Sequence, residues 1–204
     1  MSASTAGAKW TAHSFAGTRK RHDNAPVPHT TIGLRAKTGR AIAIVLTGDR
    51  RRVDFVWRGE ITLVDRDHPA TGQPYHELMH LPWSESVIAV QPLIEAIERV
   101  AEIGLGEIVR ANGITAVGVV GAPPRNLARI GNEHIRAHAA EGTLFRQVLE
   151  VAAKRLGLPC CAFTEKEIEQ LPDAQMKRIG KEAGRPWRID ERLAASAAWQ
   201  ALNA

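Results

Sequence analysis

Three groupings of side chains in this 204-residue chain have the types and spacing for chemistry. His76-Glu77-Leu78-Met79-His80 matches H-E-x-x-H, in which two imidazoles one helical turn apart hold zinc and the Glu acts as general base. Read literally, it describes a zinc hydrolase with His76 and His80 as metal ligands. Such a site needs a long helix, yet Pro74 and Pro82 bracket the motif, so a loop holding two fortuitous histidines is the competing reading. No signature selects a third ligand, although Glu98 and Glu102 lie on the next expected helix. His134 and His138 repeat the one-turn spacing near Glu133 and Glu141; without Cys or Asp at ligand spacing they read as a solvated helix face. Cys160 and Cys161 are adjacent, which strains a disulfide and supplies half of a thiolate metal site, so they read as thiols buried in a strand.

The elements that must position these groups follow from periodicity. Residues 1–29 are small, polar and basic, with the cluster Arg19, Lys20, Arg21 and His22, and are expected to form a flexible tail ahead of a domain over 30–204. Thr31 to Ala36, Ala41 to Leu46 and Val53 to Val64 are β-rich runs separated by short turns, an antiparallel meander. Residues 66–84 hold Pro69, Pro74 and Pro82 and predict a long loop or short irregular helix. Apolar residues at helical spacing predict a helix over Ser86 to Asn112, disturbed at Pro92 and closed by Gly113. Thr115 to Val120 reads as a buried strand, Gly121 to Arg125 as a loop, the region after it to Leu156 as helical, and Pro159 to Phe163 as another strand. Thr164 with Glu167 has capping-box spacing and predicts a short helix there, and a last helix is expected from Asp190 to Leu202. Strands alternating with helices in the second half imply right-handed crossovers, hence a mixed five-stranded α/β sheet with helices on both faces.

This order is similar to that of the ribonuclease H-like superfamily, and within it resembles Holliday-junction resolvases and ribosomal-RNA-maturing nucleases. The resemblance spans Thr30 to Leu202. It is carried by Ile32-Gly33-Leu34 with the Thr38-Gly39 turn, Val119-Val120-Gly121-Ala122-Pro123, Gly157-Leu158-Pro159, and Asp190-Glu191-Arg192-Leu193 opening an Ala-rich helix. The hairpin and Gln73-Pro74-Tyr75-His76 are also similar to those of an uncharacterised bacterial family with no activity attached. The superfamily resemblance implies a ribonuclease H-like three-layer fold in which acids from the first strand, the fourth strand and the last helix hold two divalent ions, Mg or Mn, for phosphodiester hydrolysis.

The residues at those positions depart from the pattern. The first strand reads Gly33-Leu34-Arg35-Ala36-Lys37 and the fourth ends without an acid; only Asp190 and Glu191 lie where the final acids belong, and Asp190 also reads as an ordinary N-cap. A nuclease would therefore need a displaced site from Glu60, Asp190 and Glu191. The leading expectation is a domain with degenerate metal-binding acids that binds nucleic acid, DNA or RNA, or serves as an interaction domain with a protein partner or a second copy. Arg35, Lys37, Arg40, Arg125 and Arg129 would form a basic mouth at the carboxyl edge of the sheet, where open α/β sheets bind ligands. Zinc enters only under the His76 and His80 alternative. Trp187, between Pro186 and Arg188, is a candidate base-stacking platform.

Composition fits a folded protein: 44% hydrophobic and 24% charged residues disfavour disorder, collagen and coiled-coil rods, and 27 basic against 22 acidic side chains give +5. No apolar run approaches a membrane span and no h-region follows Lys9, so a cytoplasmic location without membrane contact is expected.

Overall fold

A computed structural model describes residues His29 to Leu202. The tail expected over 1–29 lies outside them apart from His29, the first residue of β1. The strands are β1 (His29–Lys37), β2 (Arg40–Gly48), β3 (Val53–Thr62), β4 (Ala116–Gly121) and β5 (Cys160–Thr164). The helices are α1 (Pro74–Glu77), α2 (Trp83–Ala89), α3 (Gln91–Asn112), α4 (Glu133–Arg155), α5 (Asp173–Ala183) and α6 (Ile189–Ala201). The sheet order is β3-β2-β1-β4-β5, with β1-β2 and β2-β3 antiparallel and β1-β4 and β4-β5 parallel. This is the expected three-layer α/β fold, a mixed five-stranded sheet with helices on both faces. Among the described residues no helix is long and apolar enough to cross a membrane.

Strand alternation assigns the faces. Ile32, Leu34 and Ala36 of β1 with Ala41, Ala43 and Val45 of β2 pack against α3 and α4 through Ile97, Ala101, Leu105, Phe145 and Leu149. The opposite parity, Ile42, Ile44 and Leu46, packs against Met176 and Ile179 of α5 and the Ala-rich side of α6. Gly33 and Gly118 are partners across the β1-β4 pair and form the floor for α6. A Cβ at Gly33 would stand 1.8 Å from the Ala194 carbonyl oxygen, and one at Gly118 would stand 2.2 Å from that of Ala197. Thr31, on the same face of β1, donates its buried hydroxyl to the Ala198 carbonyl at 2.7 Å.

Two expectations are corrected. The single helix from Ser86 is two: α2 ends at Ala89 and α3 begins at Gln91, with Pro92 in its first turn, where a missing N–H costs nothing. No helix starts at Thr164, although its N–H does donate to the Glu167 carboxylate at 3.0 Å. Pro172 lies too close downstream, since the residue before a proline avoids the helical region, and the helix begins at Asp173 instead.

Cys160 and Cys161 are half-buried free thiols in β5 rather than fully buried ones. Burial foremost, then the Glu150 charge and Cys161, push the Cys160 thiol up to about 12. With so little thiolate at pH 8, alkylation of Cys160 by iodoacetamide should be at least ~100-fold slower in the folded protein than in urea, read by peptide mass spectrometry.

Candidate functional site

The carboxyl ends of β1, β4 and β5 meet the N-terminus of α6, and this is where the expected acids and cations gather. The face parity that lays Gly33 under Ala194 also lays Arg35 under Asp190, one helical turn earlier in α6 and two residues later in β1. Asp190 is in the first turn of the helix, not at its cap. Its Oδ1 accepts from Arg35 Nε at 3.1 Å, and Lys37 Nζ lies 3.2 Å from its Oδ2. Across the end of β4, Arg35 also donates to the Glu165 carboxylate just beyond β5. Burial alone would raise the Asp190 carboxyl, but hydrogen bonds from Arg35 and Lys37 and their charges outweigh it and hold the group below the ordinary carboxylate value of 3.8.

The pair of divalent ions that the sequence resemblance implies does not fit this edge. The Arg35 guanidinium already lies between two carboxylates, and both Asp190 oxygens are engaged by fixed cations. β4 contributes Val120 and Gly121 where an acid is required. Glu60 lies on the α6 face of the sheet, opposite Ile42, and meets Arg40 at 3.4 Å. Glu191 turns back to accept the Arg188 N–H at 2.8 Å and lines one cavity with Glu60. Glu60, Asp190 and Glu191 are thus each engaged separately, and they do not form a three-ligand cluster among the described residues.

Of the cations expected at the mouth, Arg35, Lys37 and Arg40 are ion-paired, while Arg125 and Arg129, on the connection leaving β4, are exposed and have no carboxylate within 4.0 Å among the described residues. Lys166, Arg188 and Arg192 are likewise exposed and unpaired there; the sequence reading missed them because only the topology brings the β5 end and the start of α6 to one edge. Trp187 packs against Gly180 of α5 and the core beneath it, an anchor rather than an open stacking platform.

The H-E-x-x-H segment does not fold as one helix. α1 ends at Glu77, and the two histidines separate: the His80 ring contacts the Glu77 carbonyl at 3.1 Å, whereas His76 points inward to Glu141 of α4. His76 lies instead beside His134 and His138, which the sequence reading left on a solvated face.

No family model matches this chain, and no curated protein matches it. Among solved structures it is similar to T. thermophilus RuvC in complex with Holliday junction substrate, at a TM-score of 0.47 and 16% identity over 84% of this chain and 90% of that one. The Thermus thermophilus RuvC structure matches at 0.41 and 14% over 83% and 91%. A Ppx/GppA family member from Aquifex aeolicus matches at 0.36 and 11% over 68% and 36%.

Proposed function

We propose that this domain binds nucleic acid along the carboxyl edge of its sheet and does not cleave it there with paired divalent ions. The observation that carries the reading is Arg35, whose guanidinium lies between Asp190 and Glu165 where the superfamily's metals would lie. A fixed organic cation supports the folded edge but activates no water. The exposed, unpaired Arg125, Arg129, Lys166, Arg188 and Arg192 supply positive charge around that edge, the pattern that phosphate backbones neutralise.

Fluorescence anisotropy with branched and single-stranded DNA and RNA tests the reading. Affinity should fall linearly in log–log form with salt, and the Arg125→Ala, Arg129→Ala double variant should shallow the slope on duplex arms by about 2. The probes should remain intact in Mg or Mn. Absent or salt-insensitive binding would overturn the nucleic-acid assignment and leave a protein partner or a second copy as the ligand. EDTA-sensitive cleavage abolished by Glu60→Gln or Glu191→Gln would overturn the other half and assign a displaced nuclease site to their shared cavity.

A further inference from the structure

The geometry points to a zinc site held by His76 of α1 and by His134 and His138 of α4, with the Glu141 carboxylate fixing the first ligand from behind. One ring nitrogen from each histidine lies within 4.8 Å of the other two. The rings meet edge-on, with centroids 4.3 Å apart for His76 and His138, 4.4 Å for His134 and His138, and 5.1 Å for His76 and His134. A tetrahedral ion with Zn–N of about 2.0–2.1 Å needs ligand nitrogens about 3.4 Å apart. The His134 and His138 rings make no hydrogen bond among the described residues, and rotation of these exposed side chains closes the difference.

The state of His76 and Glu141 singles out a metal over a solvated cluster. Glu141 is 1% exposed, and its Oε1 accepts from the His76 backbone N–H at 3.2 Å and lies 2.8 Å from His76 Nδ1. With the Nδ1 proton donated to Glu141, Nε2 keeps its lone pair, the tautomer a metal ligand requires. That Nε2 is buried and has no hydrogen-bond partner, and Glu141 Oε2 has none either. Among the described residues no Lys or Arg pairs with Glu141. A divalent ion on Nε2 gives that buried, unpartnered nitrogen its partner and sets a positive charge beside the carboxylate. Three neutral imidazoles suit a borderline ion such as zinc, and exposure of His134 and His138 leaves the fourth position to solvent.

The site would also pin the 66–82 segment to α4, because His76 is its only ligand outside that helix. The full chain, dialysed against EDTA, should bind one zinc per chain by calorimetry, and Co2+ in its place should give the intense visible bands of a four-coordinate ion. His134→Ala and His138→Ala, at exposed positions that leave folding intact, should each weaken zinc at least ~100-fold, and Glu141→Gln ~10- to 100-fold. His80→Ala should change nothing. Zinc should slow proteolysis within residues 66–82 in the parent chain and fail to do so in His138→Ala. Substoichiometric or micromolar-insensitive binding overturns the site, as does an equal loss in His80→Ala, which would return the metal to the H-E-x-x-H pair. Octahedral cobalt spectra would overturn the three-imidazole geometry. None of these outcomes bears on nucleic-acid binding at the sheet edge, so the two readings stand or fall separately.

Discussion

Gly33→Ala is expected to lower stability by about 3 kcal/mol or more, at or beyond the top of the usual range for overpacking. One methyl suffices because its Cβ would stand 1.8 Å from the Ala194 carbonyl oxygen and 2.3 Å from the Ala198 nitrogen, and both are helix backbone that cannot rotate away. The backbone at Gly33 is not in the left-handed region, so the penalty is steric and not conformational. Relief requires α6 to lift from the sheet, which opens gaps around Ala194, Ala195, Ala197 and Ala198, all fully buried. For a chain of this length the loss corresponds to a fall in Tm of about 6–12 °C. Gly131→Ala, at a glycine with nothing within 4 Å of the added carbon, should stay within about 0.5 kcal/mol. Urea and thermal melts of the two variants decide the matter; a loss below about 1 kcal/mol at Gly33 would show that α6 is not seated on the strand backbone.

The same contact aligns the candidate edge. Residues 190, 194 and 198 of α6 rise about 6 Å per four residues and residues 35, 33 and 31 of β1 about 6.6 Å per two residues, so the two rows stay in step. Thr31 meets Ala198, Gly33 meets Ala194, and Arg35 meets Asp190. Displacement of α6 by overpacking at Gly33 should therefore also loosen the Arg35 ion pair, although neither residue is altered.

Local pattern and long-range pairing were not equally readable. The meander, the buried β4 and the Ala-rich last helix follow from alternation and apolar spacing, because each buries a stripe that the chain itself displays. α5 was missed: few apolar residues mark it, Met176 and Ile179 among them, and the capping signal at Thr164 drew the helix to the wrong side of Pro172. The carboxyl edge was legible as a place, but the pairing of Arg35 with Glu165 depends on β5 lying beyond β4, which no local signal encodes. The histidine cluster was divided by a motif. H-E-x-x-H joined His76 to His80, and the distance in sequence to α4 hid His134 and His138. One clue was present: Glu141 falls four residues before Phe145 and seven before Val148, on the apolar stripe of α4, where an acid is rarely buried without a partner.

Arg35→Met should cost about 1–3 kcal/mol at pH 7, the range for losing a charged hydrogen-bond partner at a largely buried site. Methionine retains most of the stem's packing, so the loss reports the guanidinium. Arg35 is 11% exposed and Asp190 24%, which shields their pairing from solvent more than the Glu165 contact, whose acid is 55% exposed. The pH dependence has a definite sign. Because the folded Asp190 carboxyl is held below its ordinary value of 3.8, its contribution is fully present above that value and is lost as pH falls through the lowered one. The gap between parent and Arg35→Met in urea melts should thus be constant from pH 7 to about 5 and shrink below about pH 4. Asp190→Asn should show the same shrinking gap, and the double variant should fall well short of the sum of the singles. A gap that persists in acid would assign the loss to packing of the arginine stem. Additive losses would mean that Arg35 and Asp190 do not hold one another, leaving the guanidinium available to a ligand phosphate and reversing the role given to it at this edge.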